Sequence, residues 1–145
     1  MASVAEKIRQ HHQELLQSIW EQAKAISEGH GDPAMLMELL KRDLLPHAQG
    51  EERALYPVID SLITRYGHPI AAMTIDHEFI SDYVARIEQA LSSPDKLQCL
   101  VWQLYALLEA HIAKEERLLL PLMEAYLSES EQQSLFDAMH ETPHG

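Results

Sequence analysis

The chain has 145 residues, 46% of them hydrophobic, which suits one compact domain over residues 1–145 and leaves little room for a second. A net charge of −12 with nine neutral histidines argues against nucleic acid and anionic membrane surfaces, because both are held through basic patches and none is present. Cys99 stands alone, which excludes an intramolecular disulfide and agrees with a reducing compartment.

The first residues, MASVAEKIRQHH, lack the apolar core of a signal peptide, and no apolar run approaches the length of a membrane span. A cytoplasmic protein is expected. Apolar residues then recur at helical spacing from about Val4 to Ser27, through Ile8, Leu15, Ile19 and Ala23, with His12 on the same stripe. Glu28-Gly29-His30-Gly31 ends that helix, and Asp32-Pro33 reads as an N-cap followed by proline at the first helical position. A second helix runs to about Tyr66, with Leu36, Leu40, Leu44, His47, Glu51, Leu55 and Leu62 on one side. Pro46 and Pro57 lie inside it, so a kink or broken turn is expected at one or both.

The third helix, about Ile70 to Leu91, aligns Met73, His77, Ile80 and Val84. The fourth, about Asp95 to Leu127, carries Leu97, Val101, Leu104, Leu108, His111, Glu115, Leu118 and Leu122. A short fifth helix is expected from Ser128 to Met139, followed by a loose tail from His140. Short connections between long helices favour antiparallel neighbours, hence an all-α, up-down-up-down four-helix bundle. Met35, Met37, Met73, Met123 and Met139 are read as core fillers. His30, His68, His140 and His144, in turns or the tail, are read as surface residues.

The chain repeats itself. PHAQGEERALYPVID at 46–60 and AHIAKEERLLLPLME at 110–124 share a histidine, Glu-Glu-Arg, a leucine and a proline at an offset of 64. RQHHQELL around His12 and TIDHEFIS around His77 match at an offset of 65. Helices one and two therefore resemble helices three and four, which predicts a pseudo-twofold bundle with duplicated chemistry at its centre.

His47 and Glu51 are four apart, as are His111 and Glu115, so each pair shares a helix face and can reach a single metal. One such pair is a common helix-face feature; two inside a repeat, each flanked by inward-facing leucines, are a pattern. Buried carboxylates cost several kcal/mol (order of magnitude) unless paired or bound to a cation. Imidazole with carboxylate suits iron, zinc or manganese, and no thiolate set points to a soft metal.

His12 in HHQELL, H-x-x-x-E-E-R-x-L-x-P at 47–57, His77 in DHEF and the same H-x-x-x-E-E-R-x-L-x-P at 111–121 resemble the hemerythrin-like, HHE cation-binding family over about residues 5–127. The resemblance implies a non-haem pair of iron ions, oxo- or hydroxo-bridged, spanned by Glu51 and Glu115 and held terminally by His12, His47, His77 and His111. Oxygen-carrying members have a further histidine where this chain has Met73. The implied site is thus more open than a carrier needs and leaves room for peroxide, nitric oxide or another protein ligand.

Glu52, Glu116, Asp43 and nearby tyrosines are candidates to fill that room, although Glu52 and Glu116 rotate about 100° from Glu51 and Glu115 and suit a supporting role better. Arg53 and Arg117 are available to hold those glutamates or to be solvated. His11 competes with His12, which aligns better with His77. Three functions follow: a protein that binds or senses O2 or another small diatomic molecule, or binds iron; a di-iron oxidoreductase acting on peroxide or nitric oxide; and a structural helical interaction module. Oligomeric state is left open by the sequence.

Overall fold

The computed structural model describes residues 2–67 and 69–141, all helix or connection with no strand among them. His68, His144 and the tail beyond 141 lie outside the described residues. Helix α1 (Val4–Ser27) starts in a reciprocal cap: the Ser3 hydroxyl accepts from the Glu6 amide and the Glu6 carboxylate accepts from the Ser3 amide. It ends before Gly29, whose φ of 83° is a conformation that costs glycine little. Helix α2 spans residues 33–62, with the Asp32 side chain accepting from the Ala34 amide and Pro33 in the first turn. It stops short of the expected Tyr66, because Ile63 leaves the helical region and a 3-10 turn, Thr64–Tyr66, follows. Helices α3 (Ala71–Gln89), α4 (residues 94–126) and α5 (Glu129–Met139) complete the chain, α5 behind a second reciprocal cap from Ser128 and Glu131.

The interior prolines do not break their helices. Before each one the chain widens into a π turn: Leu40–Leu44 before Pro46, Glu51–Leu55 before Pro57, and Glu115–Leu119 before Pro121. Proline lacks an amide proton and its ring collides with the carbonyl four residues back. A π turn, with bonds to the fifth residue back, adds a residue and shifts the register around it. The disturbance expected at Pro46 and Pro57 thus takes the form of π turns inside continuous helices, and no turn is broken.

Ion pairs and hydrogen bonds record the antiparallel packing. Lys41 meets Glu88 and Glu52 meets His77 between α2 and α3, while Trp102 donates to Ser27 and Arg9 meets Glu124 between α1 and α4. Helix α5 docks on α2. Gly50 permits this, since a Cβ there would stand 2.2 Å from the Met139 carbonyl oxygen. Arg53 completes the dock by donating to the carbonyls of Ala138, Met139 and Glu141, and not to its neighbouring glutamates.

Two apolar clusters fill the bundle, one built around Ile8, Leu55, Ile59 and Met123, the other around Ile19, Leu40, Ile87 and Leu104. Met37, Met73, Met123 and Met139 are buried as expected, but Met35 is exposed, because Leu36 and Met37 take the inward positions of that turn. His30 and His140 are exposed, as expected of surface residues. No described helix is long and apolar enough to cross a membrane.

Candidate metal centre

Between the two apolar clusters lies a polar layer. His12 reaches it from α1, His47 and Glu51 from α2, His77 from α3, and His111 and Glu115 from α4. Helical periodicity explains why: each belongs to the stripe that elsewhere carries leucine or isoleucine, so folding the apolar face inward carries the donors with it. All are buried except His47, whose side chain is still only 7% exposed. The donors form two groups of convergent atoms, Glu51 with His77, His111 and Glu115, and Glu51 with His12 and His47. Glu51 belongs to both.

Distances show how tightly the atoms are held. Glu51 Oε2 lies 3.1 Å from His47 Nε2 and 3.6 Å from His12 Nε2, and Glu51 Oε1 lies 3.1 Å from His77 Nε2. His111 Nε2 lies 2.5 Å from Glu115 Oε1 and 3.0 Å from His77 Nε2. Even so, His12 Nε2 and Nδ1 and Glu115 Oε2 are buried without a hydrogen-bond partner. The space these groups enclose is about 10 Å³, at the lower limit for one water molecule. Hydration therefore does little for the orphaned atoms, whereas a cation in the layer would satisfy the inward-facing His12 Nε2 and Glu115 Oε2.

Charge points the same way. Burial opposes ionisation of Glu51, yet His47 beside it and a hydrogen bond from Glu115 hold its carboxyl well below the usual range. Burial and then the Glu51 charge push Glu115 well above that range. Burial alone would lower His111, but its hydrogen bonds to Glu115 and Glu51 raise it to about 10. Both shifts draw positive charge toward a buried layer that holds two carboxylates.

Outward nitrogens have their own partners. His77 Nδ1 lies 3.1 Å from Glu52 Oε1, and His111 Nδ1 lies 2.9 Å from Asp76 Oδ2, which Lys114 also holds at 2.6 Å. Glu116 stands 3.8 Å from His12 Nδ1. Glu52 and Glu116 thus sit behind histidines, as their rotation predicts, and fixing one ring nitrogen presents the other to the site. Asp76 was not among the expected residues; its signal is a carboxylate immediately before His77. Asp43 pairs with Arg42 and belongs to neither group. His11 also stays outside both groups, its ring edge-on to His47 with centroids 4.9 Å apart. Arg117 is exposed.

Tyr56 is the tyrosine that reaches the layer. Its Oη lies 3.0 Å from His77 Nε2, 3.1 Å from His111 Nε2 and 3.4 Å from Glu115 Oε1. Burial and the carboxylates Glu51 and Glu115 raise its pKa. On the opposite side, a cleft of about 420 Å³ opens to solvent beside His47, lined also by His11, Asp43, Arg53 and His140.

A sequence model of the hemerythrin HHE cation binding domain matches residues 3–123 and again residues 68–142. The second match begins 65 residues after the first, the spacing of His12 and His77 in the repeat. No curated protein and no solved structure matches the chain. The matched domain and the buried histidine–glutamate cluster together suggest metal binding.

Proposed function

Because the chain belongs to the hemerythrin HHE cation-binding domain family, we propose that its polar layer holds two iron ions and that the protein binds or senses O2 or another small diatomic molecule through them. His77, His111 and Glu115 would hold one ion, His12 and His47 the other, and Glu51 would span both. The observation that carries this reading is the convergence of these donors in two groups sharing Glu51, with His12 Nε2 and Glu115 Oε2 buried without a hydrogen-bond partner. Iron is favoured over zinc or manganese by the family, while imidazole–carboxylate donors by themselves accept all three.

Metal analysis with an optical spectrum, on protein expressed with added iron and handled in air, tests it. Near two irons per chain with near-ultraviolet bands of a bridged ferric pair is the expected result. Zinc, one metal or none would overturn the di-iron reading.

The cleft beside His47 favours a second reading, an oxidoreductase that consumes peroxide or reduces nitric oxide. Peroxide would serve as both oxidant and reductant at the iron pair, while nitric oxide reduction would draw its electrons through the pair from an external electron donor. The cleft would admit substrate to the His12 and His47 side. Steady peroxide or nitric oxide consumption that is lost in His47→Ala supports it. Turnover no faster than that of free iron removes it.

A further inference from the structure

The pseudo-twofold repeat pairs Tyr56 with Leu120, and that one position separates the two halves of the centre. A π turn puts Tyr56 where it is. The Tyr56 amide donates to the Glu51 carbonyl, five residues back, as the Leu120 amide does to Glu115. In an unbroken α-helix, residue 56 would stand about 140° around the axis from residue 51. The wider turn brings it back over Glu51 and aims the side chain inward.

Geometry defines what the phenol oxygen meets. Glu52 and Asp76 carry acceptor oxygens, so each Nδ1 of His77 and His111 holds its proton toward them. The two Nε2 atoms point inward and face each other at 3.0 Å. Tyr56 Oη lies 3.0 and 3.1 Å from the two. Three donor atoms thus mark a triangle with nearly equal edges. Metal–nitrogen and metal–oxygen bonds of about 2.1 Å place neighbouring octahedral donors about 3.0 Å apart. The triangle has the dimensions of one face of such an octahedron.

We propose that Tyr56 Oη is a further protein ligand of the metal held by His77 and His111, so that this metal is closed by protein and the His12 and His47 metal takes the incoming small molecule. The inference rests on the two-iron reading above. On binding, the phenol releases its proton to solvent and its oxygen donates the electron pair to the metal; the cation reverses the effect of the surrounding carboxylates on the phenol. Leu120 offers no atom of this kind to the other half. The cleft beside His47 opens on that half, so the freer metal is the accessible one.

Ferric loading of the wild type, Tyr56→Phe and Tyr126→Phe tests this, with iron per chain and the visible spectrum read on each. Tyr126 is 66% exposed and serves as the control. Expected is a broad phenolate-to-iron band, read per bound iron, in the wild type and Tyr126→Phe, and no such band per bound iron in Tyr56→Phe. Resonance Raman on wild type carrying ring-deuterated tyrosine makes the test independent of how the variant folds: phenolate ring modes enhanced in that band should shift. Two irons per chain with no such band or modes, or a band that survives Tyr56→Phe, would overturn the tyrosine ligand and leave the di-iron reading intact. A wild type that takes up no iron overturns both.

Discussion

The His77–His111 side of the polar layer and the His12–His47 side descend from one repeated pattern, yet they are built to different tolerances. On the first, both outward nitrogens are held by carboxylates within 3.1 Å, and Tyr56 closes the remaining face. On the second, Glu116 stands 3.8 Å behind His12, His11 occupies the place that Asp76 holds in the repeat, and a cleft lies alongside. Duplication set the inward donors; single substitutions one residue away decided which half is braced and which is open. A histidine in Asp76's position cannot accept as a carboxylate does, so His47 gains an aromatic neighbour in place of an anchor.

Glu51→Ala should have the largest effect, because Glu51 alone belongs to both groups. Metal content should fall from about two per chain to below one, and the rise in melting temperature on metal loading should vanish. Elemental analysis and a thermal melt check this; His111→Ala, which touches one group, should keep more metal than Glu51→Ala. Next is Asp76→Asn, expected to weaken metal binding about 10- to 100-fold by loosening His111. His11→Asn should change it far less, and chelator competition on the two variants compares the halves directly. Equal losses would mean that they are equivalent after all.

Much of the comparison was legible in the chain. Leucine spacing located the helices within a few residues, and the same spacing placed His12, His47, Glu51, His77, His111 and Glu115 on inward faces. That works because a helix maps sequence intervals onto direction with little ambiguity. The π turns were the blind spot. Prolines 46 and 57 announced a disturbance, but not that an extra residue would absorb it and carry Tyr56 inward, nor that Pro121 would bring the same turn. Asp76 and Arg53 escaped for another reason: their partners lie 35 and 85 to 88 residues away, and only packing brings them together.

Smaller effects concern α5, which docks on the first repeat at Gly50 and Arg53. Gly50→Ala forces its new carbon against the Met139 backbone, so a loss of about 1–3 kcal/mol is expected from urea unfolding. Arg53→Ala should cost about 1 kcal/mol through its carbonyl contacts. Its counterpart Arg117→Ala, at an exposed position, should stay within about 0.5 kcal/mol. Equal costs at the two arginines would show that α5 adds nothing at that contact.

The two apolar clusters meet only across the polar layer, so the bundle's mid-section is where cooperativity is cheapest to lose. In metal-free protein, amide hydrogen exchange should divide the chain into two opening units, with the amides flanking His47 and His111 exchanging at the seam. Cations bound across all four helices would join those units, and the seam amides would then exchange only as slowly as the whole chain unfolds.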